Sequence, residues 1–308
     1  MDVLEKFARW LREEGRSDTT IQTYLGAIKN FQSYWEDSMG SDVPFENATT
    51  IDLQEYRQYL LNVAKGRNGG RMKPATANKK LEALRTFFSF LMAEEIIRKN
   101  PMDRVQLKRI QSRQTPKWLN RNERNALLRV IDDPGTWKNN DFHLAKNNAV
   151  IRLMLFAGLR VSETISLRIE DVKFQGWQNS GTIHLHSGKG GLFRYVPFGK
   201  DVGKSIRNWL DVRGVESDIL FISQKKTPLT VQGVEHIFRK LRDKTKIESL
   251  TPHVLRHTYA KNLIDNGYTI DLVAELLGHR SLDTTRIYTA YSDEEKAKAV
   301  ASLTGEEF

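Results

Sequence analysis

Thr251-Pro252-His253-Val254-Leu255-Arg256-His257, followed by Gly278-His279 and Tyr288, brings an arginine, three histidines and a tyrosine into one carboxy-terminal stretch. Such a set suits chemistry on a phosphodiester. Guanidinium groups bind nonbridging oxygens with planar, forked geometry, imidazoles move protons, and a phenol can serve as nucleophile. The spacing supports a shared site, because His253, Arg256, His257 and Ala260 fall at i, i+3, i+4 and i+7 and so line one face of a helix. Thr251 suits the cap of that helix, Pro252 its first position and Gly267 its end. A second short helix is predicted from about Ile270 to Leu277, stopped by Gly278, which leaves His279 on the turn just beyond. Tyr288 follows on a third segment, with Tyr291 as a rival phenol.

The elements that must position these groups lie upstream. Helices are predicted near 120–131 and 146–157, the second carrying the apolar run Val150 to Ala157 and stopped by Gly158. Leu159-Arg160-Val161-Ser162-Glu163 then turns into a short helix, so Arg160 stands at a junction from which a side chain can be aimed inward. Thr182-Ile183-His184-Leu185-His186 and Leu192-Phe193-Arg194-Tyr195-Val196-Pro197 flank Ser187-Gly188-Lys189-Gly190-Gly191, which reads as a hairpin with Lys189 at a glycine-rich tip. His184 and His186 alternate along a strand like a two-histidine metal pair, but no third ligand stands at useful spacing. They are expected as exposed strand residues, and no metal site is expected.

Composition sets the class. The chain has 308 residues, a formal net charge of +10 and a pI near 9.6, which favours a polyanionic partner that binds by counterion release. It has no cysteine, so disulfides, thiol nucleophiles and cysteine metal sites are excluded. Without an amino-terminal hydrophobic signal or an apolar run of about 18 residues, secretion and membrane spanning are not expected. A cytoplasmic protein of two domains is.

The first hundred residues read as four helices. One covers 2–14; a second carries Ile21, Tyr24, Leu25, Ile28, Phe31 and Trp35; a third, entered at Thr49-Thr50, carries Leu53, Tyr56, Leu60 and Val63; a fourth, after Pro74, carries Leu81, Leu84, Phe88 and Leu91. The loop from Lys65 to Lys73, with Arg67 and Arg71, has four positive charges and no acid, which fits either a phosphate-contacting loop or a solvated connector. From Arg104 to Arg121 no acid occurs, and Lys108, Arg109, Arg113 and Lys117 fit a linker lying along a DNA backbone, although a solvated linker would look similar. The expected division is a helical DNA-binding domain over 1–103, a basic linker over 104–118, a catalytic domain over 119–292 and a tail over 293–308.

The chain resembles the tyrosine site-specific recombinases along nearly its whole length. The resemblance rests on Ala157-Gly158-Leu159-Arg160-Val161-Ser162-Glu163, Gly188-Lys189-Gly190, His253-Val254-Leu255-Arg256-His257, Leu276-Leu277-Gly278-His279 and Thr284-Thr285-Arg286-Ile287-Tyr288-Thr289, in that order. It implies a mainly α fold with a small β-sheet or hairpin in the second domain, the two domains forming a C-shaped DNA clamp. It also implies that Arg160 and Arg256 clamp the phosphate, Lys189 protonates the leaving oxygen, His253 and His279 are active-site histidines, and Tyr288 is the nucleophile. Glu163 matches a supporting acidic position, whereas His257 matches the motif but reads as a packing residue. Leu192-Phe193 and Asn262 depart from positions that are often basic and histidine in relatives, and altered DNA contacts are expected there.

The function so implied is cleavage and rejoining of double-stranded DNA at recombination sites through a 3′-phosphotyrosyl intermediate and a Holliday junction, without metal, ATP or other cofactor. It would serve dimer resolution or the integration, excision or cointegrate resolution of a mobile element. A type IB topoisomerase-like enzyme and a non-catalytic DNA-binding module are the alternatives. The short chain ahead of the first helix points to a compact Xer-like or transposon-encoded enzyme with no extra arm-binding domain. Apolar Ala297, Ala299, Val300 and Leu303 give the tail a helical spacing suited to docking on a neighbour, in a homo-tetramer on two DNA sites or a hetero-tetramer with a paralogue.

Overall fold

The computed structural model describes residues 2–66, 69–109, 116–138, 140–176, 179–186, 194–214, 217–279 and 282–286. It divides into two compact units, Met1–Arg113 and Gln114–Phe308. Among the described residues no helix is long and apolar enough to cross a membrane.

The first unit consists of α1 (Val3–Glu13), α2 (Asp18–Met39), α3 (Thr50–Asn62) and α4 (Pro74–Ala93). Side chains start these helices where their orphan N–H groups need acceptors. Asp2 accepts from Leu4 and Ser17 from Thr20, Thr49 forms a capping box with Asp52, and Pro74 opens α4 at a position where its missing N–H costs nothing. The apolar stripes close on an aromatic core. Phe31 meets Tyr56 edge-on at 4.9 Å between ring centroids and Phe7 meets Phe87 at 5.2 Å, all four rings buried. Burial of each such side chain contributes about 1.5–3 kcal/mol.

Part of the segment assigned to the linker belongs to this packing. Val105 is buried in the core and Leu107 lies against it; Lys108 exchanges two hydrogen bonds with Asn78, and Arg57 and Arg85 donate to the carbonyls of Gln106 and Val105. The basic residues here decorate an apolar strip that the count of charges does not reveal.

The second unit runs α5 (Arg121–Asp132), α6 (Asp141–Phe156), α7 (Val161–Ser166), β1 (Val172–Phe174), β2 (Gly181–Leu185), β3 (Arg194–Phe198), α8 (Lys200–Arg213), α9 (Val231–Thr245), α10 (Pro252–Asp265), α11 (Ile270–Leu277) and α12 (Asp283–Arg286). Helix α6 is its hub: Val150, Ile151, Leu153, Met154 and Leu155 are all fully buried. It begins five residues earlier than the predicted start at 146, because Asn140 accepts from the His143 amide at 2.9 Å and caps the extra turn. Trp209 of α8 is also buried and donates to the Leu220 carbonyl at 2.7 Å.

The three strands form one antiparallel sheet in the order β1-β2-β3. Ile183 stands between Val172 and Val196 on the buried face, while His184 pairs with Tyr195 on the other. The expected exposed pair divides its contacts: His184 packs edge-on against Tyr195 at 4.7 Å, and His186 Nε2 lies 3.2 Å from the Asp171 carboxylate. At the far end of β2, Leu185 pairs with Arg194, which places Arg194 on the last described rung of the hairpin.

Candidate active site

The site is built around the C-terminal end of α11. Thr269 caps the start of this helix, and Gly278 ends it in the left-handed region at φ +62. The last carbonyls of a helix lack partners within it and carry its negative end. Here three successive ones each accept from a different arginine. Arg194 Nε donates to Leu276 O at 3.1 Å, Arg256 Nη2 to Leu277 O, and Arg160 Nη2 to Gly278 O at 3.3 Å.

The same three guanidinium groups meet one carboxylate. Glu163 Oε1 lies 2.7 Å from Arg160 Nη1 and 2.9 Å from Arg194 Nη1; Oε2 accepts from Arg194 Nη2 at 3.0 Å and from the Arg160 backbone N–H at 2.7 Å, and stands 3.8 Å from Arg256 Nη1. Glu163 thus caps α7 and orients the arginines at once. Burial pushes its carboxyl pKa up, but the Arg194 hydrogen bonds, the Arg160 backbone N–H and the two positive charges outweigh that and hold it below the ordinary value. Among the described residues, three cations face one carboxylate here, a surplus of positive charge.

The helix carrying the histidines is fixed as its sequence dictates. Thr251 accepts from the Val254 amide at 3.2 Å, Pro252 takes the first position, and α10 stops at Asp265, just ahead of Gly267. Arg256 is buried, and Nη1 also reaches the Gly158 carbonyl. Gly158 adopts φ +63, and a Cβ there would lie 2.4 Å from the ring of Tyr259, so a glycine is required for the α6–α7 turn to come this close to α10. Arg160 keeps 38% of its side chain exposed against 6% for Arg256, which makes Arg160 the more open of the two toward an incoming anion.

His279 sits on the turn past Gly278. Burial, and then the charges of Arg256, Arg160 and Arg194 with His257, push its pKa down to about 4, so the imidazole is neutral at pH 7. Its Nδ1 lies 2.8 Å from the hydroxyl of Thr285, a fully buried residue of α12. His257 is half-buried and its pKa is lowered, by burial first and then by His253 and Arg256; His253, one turn earlier, is exposed.

The structure therefore brings Arg160, Glu163, Arg256 and His279 together and sets His253 on the adjoining turn of α10. Lys189, Tyr288 and Tyr291 lie outside the described residues, as do Arg67 and Arg113 and the tail. Among the basic residues assigned to DNA, Lys73, Lys108, Arg109 and Lys117 are exposed. Arg71 is exposed as well and donates to Leu61 O and Asn62 Oδ1, both at 3.1 Å. The sequence motifs assign no role to two residues of the site. Arg194 is a strand arginine among ordinary neighbours, and Thr285 precedes Arg286 and Tyr288 without a spacing that points to His279.

A sequence model of the phage integrase family matches residues 117–295, and one of the phage integrase N-terminal SAM-like domain matches 4–95. The tyrosine recombinase XerC of Bacillus subtilis strain 168 is 32% identical over 306 residues, which cover 95% of this chain and 93% of that protein. The tyrosine recombinase XerA of Thermococcus kodakarensis is 31% identical over 314 residues, covering 99% and 98%. The crystal structure of the XerH site-specific recombinase bound to palindromic difH substrate, a post-cleavage complex, superposes with a TM-score of 0.73 at 26% identity, over 97% of this chain and 83% of that one. The Tn1549 transposon integrase in complex with transposon right end DNA shares the fold, with a TM-score of 0.70 at 19% identity over 99% and 100% of the two chains.

Proposed function

Because the chain belongs to the phage integrase family as a Xer-like tyrosine recombinase, an enzyme of site-specific DNA recombination, we propose that its arginine cluster binds the scissile phosphate and that Tyr288 attacks it. The single observation that carries this reading is the convergence of Arg160, Arg256 and neutral His279 on one helix end, with Glu163 holding the arginines. Attack on a phosphodiester builds negative charge on the nonbridging oxygens, and guanidinium groups fixed beforehand stabilise that charge without reorganising.

In the proposed reaction the Tyr288 oxygen forms a bond to phosphorus as the bond from phosphorus to the 5′ oxygen breaks. A phenol with an ordinary pKa of about 10 must lose its proton on the way, and His253, exposed one turn before Arg256 on α10, would accept it. In the tautomer whose Nδ1 accepts from the Thr285 hydroxyl, His279 carries its proton on Nε2 and would donate it to a phosphate oxygen. Lys189 protonates the departing 5′ oxygen. The 3′-phosphotyrosyl link keeps the energy of the broken bond, so a 5′ hydroxyl from a second duplex can reverse the step and exchange strands with neither ATP nor metal.

Double-stranded DNA is the proposed partner; the XerH complex holds a palindromic difH substrate and the Tn1549 complex holds transposon right end DNA. Lys73, Lys108, Arg109 and Lys117 would contact its phosphates and four protomers would act on two sites, in the cytoplasm with the nucleoid. A nicked suicide substrate carrying the cognate site tests the chemistry. The wild type should give a protein–DNA adduct that survives denaturation, Tyr288→Phe should abolish it, and Tyr291→Phe should leave it; an adduct that persists in Tyr288→Phe overturns the assignment. Strand exchange between two sites, scored apart from relaxation of a single plasmid, separates recombination from topoisomerase activity.

A further inference from the structure

We propose that Arg194 is a positioning residue for strand cleavage, locking the base of the β2–β3 hairpin to both the Glu163 carboxylate and the helix end that presents His279. The inference rests on the proposed function above and deepens it. Arg194 makes three hydrogen bonds, two to the separate oxygens of Glu163 at 2.9 and 3.0 Å and one from Nε to Leu276 O at 3.1 Å. A forked pair to a carboxylate fixes both its position and its plane. That plane is what Arg160 reads, since its Nη1 and its backbone N–H both bond the same carboxylate.

The other end of the contact is equally constrained. A Cβ on Gly278 would lie 2.4 Å from Arg194 Nη1, so the turn before His279 rests directly on the guanidinium. Arg194 is 16% exposed, and each of its three guanidinium nitrogens already holds a protein acceptor, so it acts through Glu163 and the α11 end and not on the phosphate itself. It joins the hairpin base to the α6–α7 turn and the α11 end, which Arg160 and Arg256 already tie to each other. Lysine cannot replace it, because a single ammonium cannot hold two carboxylate oxygens and a carbonyl in a plane.

The test compares Arg194→Ala and Arg194→Lys with the wild type in single-turnover cleavage of the nicked suicide substrate, alongside affinity for the same DNA at one salt concentration. The expected result is affinity within about threefold of wild type and cleavage slowed about a hundredfold in both variants, the scale of a misplacement near 1 Å at the reacting groups. Millimolar methylguanidinium should restore part of the rate to Arg194→Ala, and methylammonium should not, a rescue that a loss of folding would not show. Should Arg194→Ala fail to fold, Arg194→Lys decides alone. Wild-type cleavage by Arg194→Lys, or rate losses that match a loss of folded protein in a thermal melt, overturn the proposal. If the wild type forms no adduct, or Tyr288→Phe still does, the proposed function fails and not the role of Arg194.

Discussion

Replacing Glu163 by glutamine removes the one negative charge that three arginines share while keeping the side chain's shape. Breaking a fully buried ion pair by removing one partner costs about 3–5 kcal/mol. Here the loss should be roughly 2–4 kcal/mol, because the amide carbonyl still accepts one hydrogen bond and solvent reaches 17% of the side chain. The amide nitrogen, in contrast, must face a guanidinium donor. The pH dependence identifies the cause. The folded carboxyl has a depressed pKa, so its contribution is fully present above the unfolded value of about 4.3 and is lost as pH falls through the lower folded value. The gap between wild type and Glu163→Gln should therefore be full at neutral pH and narrow as pH falls below the unfolded value and through the lower folded one. Urea unfolding of the whole chain measures it, with the transition of the second unit followed separately, since two units need not unfold together. A gap below about 1 kcal/mol at neutral pH, or one that does not change with acid, would refute the view that Glu163 works as the ionised hub of the cluster.

Other outcomes follow from the same geometry. Gly278→Ala combines a left-handed φ of +62 with a Cβ at 2.4 Å from Arg194, and a thermal melt should show at least the roughly 1–2 kcal/mol of the backbone strain alone, with slowed cleavage. Thr285→Val deletes the hydroxyl that holds His279 Nδ1, and should slow adduct formation about tenfold or more with DNA affinity kept, measured on the suicide substrate. Thr258→Val removes a buried hydroxyl that accepts from the Leu119 amide at 2.8 Å and donates to Val254 O, so urea unfolding should show a loss of about 1–3 kcal/mol. DNA affinity should fall steeply as salt rises. Neutralising Lys108 or Arg109 together with Lys117 should flatten the slope of log K against log salt by about one for each phosphate left without its cation, in a titration series.

Much of this protein was readable from local pattern. Helix α11 runs from Ile270 to Leu277 as expected, because the apolar period and the stop at Gly278 are both local signals. The cap at Thr251, the proline after it and the shared face of His253, Arg256 and His257 placed α10 with the same means. The antiparallel pairing of β2 with β3 followed from alternation around a glycine-rich turn. Strand β1, only three residues long, is too short to show alternation, and it exists because β2 offers it a paired edge. Helix α9 has a plain stripe in Val234, Ile237, Phe238 and Leu241, but it bears none of the chemical groups from which the other elements were inferred.

The sequence by itself determined which residues are available for phosphodiester chemistry, since side-chain type and helical period are properties of neighbouring positions. It also placed the chain in its family through motifs whose order survives without coordinates. Only the tertiary structure decided how those residues are held. Arg194 lies 31 positions from Glu163 and 82 from Leu276 along the chain, and no local rule pairs a strand arginine with a helix end so distant. The burial of Arg256, the neutral state of His279 and the single carboxylate facing three guanidinium groups are likewise consequences of packing. They depend on how close charges come and how much water is removed, quantities that exist only once the chain has folded.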